Sequence, residues 1–157
     1  MNLDGTPDEE DLEFYDRYGP WDALDPVDLQ ALMDGVPEPW WIVGGHAIDA
    51  FTGVTRARAP WIIDCPINPD IDGRWQSKRD GDHVADLDEV TWVDNRGIRF
   101  LNPEVVLHFK AAQNRGKDRF DLEIVWPLLS REKKLWLAEW VRKFDPEHPW
   151  SERLANP

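Results

Sequence analysis

Cysteine is nearly missing from this 157-residue chain, which has Cys65 and no other. One thiol closes no internal disulfide and builds no thiolate metal cluster, so a disulfide framework and a cysteine-rich zinc centre are both excluded. Long apolar runs are absent as well. None approaches the 18 residues of a membrane-crossing helix. The first residues are acidic and lack the apolar stretch of a signal peptide, so a cytoplasmic protein with no membrane partner is expected. Basic residues are scarce, with 18 Lys and Arg against 31 Asp and Glu. No basic stripe is left to track a phosphate backbone, which argues against bulk nucleic acid as a partner. No internal repeat or low-complexity tract interrupts the chain. What remains is 41% hydrophobic residues, enough for one buried core and incompatible with wholesale disorder.

The negative charge is unevenly spread. Residues 1–38 hold 12 acids and one base, Arg17, a net of −11, while residues 39–157 hold 19 acids and 17 bases, a net of −2. This pattern predicts an acidic, disordered arm over residues 1–13 and a single near-neutral domain over residues 14–157. Phe14, Tyr15, Tyr18 and Trp21, with Leu12, offer apolar anchors that could tie the arm to the domain.

Asp25-Pro26 is an N-cap followed by proline at the first helical position. Leu29, Leu32 and Met33 repeat at helical spacing, and Gly35 stands where the helix would stop. Trp40 to Val43 is a short β-branched and aromatic run, expected as a buried strand. Gly44-Gly45 ends it, and a helix should start there. Trp61 to Ile67 is a second strand, and Asn68 to Asp88 is polar with only Trp75 and Val84 to bury. Val90–Trp92 and Ile98–Phe100 flank Asp94-Asn95-Arg96-Gly97, which carries hairpin-turn chemistry. Three helices follow. The first opens at Asn102-Pro103-Glu104 with Val105, Val106, Phe109 and Ala112 on one face. The second runs from about Lys117 to Leu129 with Phe120, Ile124 and Leu128 in phase. The third starts at Ser130 with Leu137, Trp140, Val141 and Phe144. The expected class is α+β, a small mixed β-sheet with a helical C-terminal half.

A strand running through two glycines into a helix can be a tight turn. It can also be a phosphate cradle, because unpaired N–H groups and the positive end of the helix dipole meet there. The wider stretch Trp40-Trp41-Ile42-Val43-Gly44-Gly45-His46-Ala47-Ile48-Asp49-Ala50-Phe51-Thr52-Gly53-Val54-Thr55-Arg56 resembles the opening motif of the nucleotidyltransferase fold, and within it the aminoglycoside nucleotidyltransferases. Leu101 to Ala111, Gly116 to Leu122 and Phe144 to Trp150 are similar to later segments of the same proteins. The resemblance spans roughly residues 15–154. It implies a trimmed nucleotidyltransferase-like sheet and transfer of a nucleoside monophosphate from a nucleoside triphosphate to a small-molecule hydroxyl acceptor, with Mg2+ as cofactor.

The same resemblance implies nucleotide-binding roles for Gly44, Gly45, Arg56, Lys110, Lys117 and Asp118. Family members carry two carboxylates on the strand after the Thr-Arg pair, and these hold magnesium. Here the chain reads Thr55-Arg56-Ala57-Arg58-Ala59-Pro60-Trp61, with no acid between Asp49 and Asp64. The family's third carboxylate is matched by Asp64 in Trp61-Ile62-Ile63-Asp64-Cys65-Pro66-Ile67-Asn68-Pro69, which makes Asp64 the candidate catalytic and metal residue. Asp70-Ile71-Asp72 has the right letters but reads as a turn between Pro69 and Gly73. One carboxylate is a poor magnesium site, because the ion shares octahedral oxygens among carboxylates and phosphates. A catalytically impaired relative is therefore expected. The alternative is a non-catalytic interaction protein on the same scaffold, whose uncovered sheet edges favour self-association.

Other chemistries find no support. The four histidines, His46, His83, His108 and His148, have no spacing suited to zinc, and Ser77, Ser130 and Ser151 lie in no nucleophile elbow. Asp64 beside Cys65 should raise its thiol pKa and keep it unreactive. Of ten tryptophans, Trp126, Trp136 and Trp140 are expected in the core. Trp40, Trp41 and Trp61 are placed either in the core or stacked at the nucleotide cleft. Lys110 and Lys117 serve either phosphates or a solvated helix face, with Lys117–Asp121 as an i,i+4 pair.

Overall fold

A computed structural model describes residues 9–18, 24–54, 63–66 and 74–155. The elements run α1 (Glu9–Tyr18), α2 (Pro26–Leu32), α3 (Gly44–Thr52), β1 (Arg74–Gln76), β2 (Val84–Asp86), α4 (Leu87–Val90), β3 (Thr91–Val93) and β4 (Arg99–Leu101). The C-terminal half is helical, with α5 (Pro103–Ala111), α6 (Gly116–Val125), a 3-10 turn (Trp126–Leu128), α7 (Arg131–Phe144) and α8 (Ser151–Leu154). The class is mixed α+β, with two small antiparallel sheets and a mostly helical C-terminal half. Among the described residues no helix is long and apolar enough to cross a membrane.

Several elements follow directly from local chemistry. Asp25 accepts from the N–H groups of Val27 and Asp28 at 2.7 and 2.9 Å and so caps α2. Asp94 accepts from the N–H groups of Arg96 and Ile98, and Gly97 takes φ +84°, which closes the β3–β4 turn. Trp92 and Phe100 face each other in that hairpin. Ser130 accepts from the Lys133 N–H at 3.3 Å and starts α7. Ser130→Ala is expected to lower stability by about 1 kcal/mol, read as an earlier urea midpoint with an unchanged slope.

The core lies where the β3–β4 hairpin meets α3 and the C-terminal helices. Ile42, Ile48, Ile98, Phe100, Leu107 and Leu137 are fully buried there. Ile42 is the pivot of a wider strand arrangement. Its N–H donates to the Arg99 carbonyl and its own carbonyl accepts from Leu101, each at 2.9 Å. On the other side Val43 N–H donates to Asp64 O at 3.0 Å and Trp41 N–H to Pro66 O at 3.4 Å, in antiparallel sense. The expected strands at 40–43 and 61–67 are thus realised as bonded extended segments over 41–43 and 64–66; residues 55–62 and 67–73 lie outside the described residues.

Five local expectations change. The acidic stretch expected to lack structure enters α1 at Glu9. Asn102 stands at the α5 N-cap position, yet its side chain donates backward to Glu89 O at 2.9 Å, and only its backbone carbonyl serves the helix. Leu128 is 53% exposed because α6 stops at Val125, and the tighter 3-10 turn containing Pro127 rotates it away from the core. Ala112 is exposed while Ala111 is buried at the end of α5. The polar stretch before Asp88 also forms the hairpin β1–β2, in which Trp75 pairs with Ala85 and is buried.

Candidate functional site

The strand 41–43 delivers the chain to α3 through Gly44, whose φ is +69°. A Cβ at Gly44 would lie 3.6 Å from Asp64 Oδ2, so there is room for one, but the left-handed backbone disfavours it. The N-cap of α3, Val43, offers no side-chain hydrogen bond. The structure therefore brings Gly44 and the exposed carboxylate of Asp64 together at the positive end of α3. Gly45 is half-buried in the first turn of the same helix. Arg56, Trp61 and Asp70-Ile71-Asp72 lie outside the described residues.

α3 packs on both α5 and α6, which carry the remaining candidates. Lys110, from α5, reaches Asp121 Oδ2 at 2.8 Å and Asp118 Oδ1 at 3.3 Å, both on α6. Arg115 reaches around the start of α6, with Nε 2.9 Å from Asp118 Oδ2 and Nη2 3.2 Å from Asp118 Oδ1. The Arg115 N–H also donates to Asp118, at 3.0 Å. Two cations thus meet two anions, and Asp118 and Asp121 are completely buried. Burial pushes the Asp118 pKa upward, but the Arg115 hydrogen bonds and the Lys110 charge outweigh it and hold the carboxyl below its ordinary value. Lys110 and Asp118 are accordingly spent on each other and on their neighbours. Lys117 is half-buried in the first turn of α6.

Burial raises the Cys65 thiol, and a hydrogen bond from the Trp41 backbone offsets this only in part. The cause differs from the neighbouring Asp64 invoked above, though the direction is the same. Trp41 and Trp126 are buried, while Trp40, Trp136 and Trp140 are partly covered. Among the described residues no group of three or more His, Cys, Asp or Glu gathers to hold a metal ion. Asp64 alone does not fit the two-ion arrangement that nucleotidyl transfer requires.

A second constellation was not legible as a site. The connection between β1 and β2, residues 77–83, lies over the ends of α5 and α7. Arg79 Nη1 donates to the His108 carbonyl in the last turn of α5 at 2.5 Å, and Lys143 from α7 pairs with Asp80 at 2.5 Å. A groove of about 250 Å³ runs beside it, lined by Arg79, Ala111, Asn114, Val141, Phe144 and His148. His148 donates from Nε2 to Ala111 O at 2.8 Å while Nδ1 accepts from Trp150 N–H. Arg79 and His148 thereby satisfy carbonyls that the end of α5 leaves open. Asp80-Gly81, a turn pair set between Trp75 and Val84, was the available sequence signal for this hairpin.

No family model, curated protein or solved structure matches the chain.

Proposed function

We propose that the chain is a nucleotidyltransferase-like protein with a trimmed mixed sheet, able to receive a nucleoside triphosphate but impaired in transferring its nucleoside monophosphate to a small-molecule hydroxyl. One observation carries this reading. Strand 41–43 turns through Gly44 at φ +69° into α3, with the Asp64 carboxylate alongside. The positive end of the α3 dipole, approached through a glycine turn, favours phosphate oxygens. Asp64 works against the same anion, because no second described carboxylate joins it in a metal-holding group. Without that group the developing charge on the attacking and leaving oxygens goes unneutralised, and transfer should be lost.

Calorimetric titration with ATP and GTP, with and without Mg2+, tests this. Binding is expected near 1 mM, about −4 kcal/mol, with little response to Mg2+. Asp64→Asn should tighten magnesium-free binding, since it removes a like charge from the phosphate position. Gly44→Val should weaken it by roughly tenfold, because the valine resists a positive φ. Weaker binding in Asp64→Asn, or rapid Mg2+-dependent pyrophosphate release with a hydroxyl acceptor, would overturn the impaired reading.

A second reading, an interaction scaffold without nucleotide, is favoured by the enclosure of Lys110 and Asp118 in a neutral buried cluster rather than at a cleft. It predicts no triphosphate binding. In light scattering it predicts self-association to a multiple of 18.3 kDa.

A further inference from the structure

His108 is buried to 1% exposure, and among the described residues neither of its ring nitrogens has a hydrogen-bond partner. Such an orphan is uncommon in a folded core and costs stability even when neutral. Its surroundings are aromatic. Trp136, Trp140, Phe144 and Phe109 all lie within 6.0 Å of it, centroid to centroid. His83, from the 77–83 connection, stacks on Trp140 at 4.3 Å and leaves its buried Nδ1 unpartnered too. Two imidazoles therefore share one aromatic wall, one on α5 and one on the connection that crosses it.

The charges around them are mostly positive. From the connection come Arg79 and Asp80; from α7 comes Lys143, which lies over Trp140 at 4.4 Å and is paired with Asp80. Arg79 stands 5.1 Å from the Phe144 ring centre. On α5 itself, Lys110 is turned to the acids of α6 and Glu104 to Lys133, so neither compensates a charge on His108. A proton on His108 would meet Arg79, Lys143 and His83, and one on His83 would meet Lys143, with Asp80 as the one acid facing both among the described residues.

We propose that the 77–83 connection is an acid-released strap, which holds the β1–β2 hairpin on α5 and α7 while His83 and His108 are neutral and lets go when they take up protons. The linkage sign agrees. Burial is the main cause that lowers both imidazole pKa values, His108 to about 4, with Arg79 adding to the effect there. Neutral imidazoles thus stabilise the closed form above the ordinary value of about 6.5. That contribution fades as pH falls from there towards 4, a window above the one in which buried carboxylates titrate. Released, the strap gives up the Arg79–His108 and Lys143–Asp80 contacts and wets the groove beside α5.

Amide hydrogen exchange on the intact chain reads this out, corrected for the intrinsic pH dependence of exchange. Ser77 N–H donates to His83 O and His83 N–H to Asp80 O inside the strap, while Leu101 N–H donates to Ile42 O in the central strands. Between pH 7 and pH 4.5, strap protection should fall by about tenfold or more, the ratio set by one pKa unit of difference. Leu101 should stay protected. His83→Phe/His108→Phe keeps the aromatic wall without a proton site and should hold the strap closed across the range. An equal loss in that variant overturns the proposal, and so does unchanged strap protection in the natural chain. Should the variant fail to fold, imidazole NMR on the natural chain decides. Titration of both rings near 6.5 with the strap amides still protected overturns it, and depressed titration coinciding with strap opening supports it.

Discussion

Asp118→Ala is expected to destabilise the protein by roughly 3–5 kcal/mol, the range for removing one partner from a buried ion group. Asp118 is completely buried while Arg115 is 48% exposed, so screening trims the Arg115 share and the loss should lie at the lower end of that range. The substitution strips Arg115 of its carboxylate and leaves Lys110, 12% exposed at its side chain, with Asp121 alone. It also removes the acceptor for the Arg115 N–H at the start of α6. Urea unfolding measures the loss. A change below about 1 kcal/mol would mean that water already reaches the cluster. Replacing the whole cluster is a different experiment. Lys110→Met/Asp118→Leu/Asp121→Leu removes every buried charge together and should cost far less than Asp118→Ala, because the one cation left without a partner, Arg115, is 48% exposed and can be hydrated. The pH dependence follows from the same carboxyl. Asp118 has its pKa depressed in the fold, so its stabilisation is present above about 4, the unfolded value, and is lost as pH falls through the lower folded one.

Phe100→Ala should cost a similar amount, about 3–5 kcal/mol. Phe100 is fully buried on β4 and stacks on Trp92 at 5.1 Å between centroids, and its strand bonds to Ile42 on one side and β3 on the other. The cavity would open where the Gly44 turn, the hairpin and α5 are joined, and three short strands have little means of collapsing into it. Leu128→Ala supplies the contrast. At 53% exposure it fills no core volume and should change stability by no more than about 0.5 kcal/mol. Thermal unfolding of the two variants separates them. Equal losses would mean that Phe100 is not at the centre of the packing.

Short-range chemistry is legible in the sequence itself. Asp25, Pro26 and Ser130 start helices because each acts on an N–H or a φ angle within three residues. The Asp94–Gly97 turn was equally legible, while the pairing of Trp92 with Phe100 is settled by the fold. Sequence pattern and fold diverge where a local signal has a distant competitor. Asn102 had the residue type of an N-cap, and the Glu89 carbonyl, thirteen residues earlier, took its side chain. Leu128 was in phase with α6 until the helix ended and the residues-per-turn changed.

The candidate site divides along the same line. That a strand would enter a helix through Gly44-Gly45 could be read from β-branched and aromatic residues followed by residues free to adopt φ > 0. That Asp64 comes to lie beside Gly44 depends on the pairing of Val43 with Asp64 across the sheet. Lys110 and Asp118 carry charges that a ligand site could use, but their reach across α5 and α6 commits them to each other, with Asp121 and Arg115.

By itself the sequence determined the α+β class, the helix starts, the hairpin turn, the near-neutral body and the absence of a disulfide framework, because composition, caps and turns act over a few residues. Tertiary structure alone decided which charges neutralise one another, where Asp64 stands against α3, and that His83 and His108 meet on one aromatic wall between Arg79 and Lys143. Those outcomes join residues tens of positions apart, and burial sets their energies, a quantity that no local window of sequence contains.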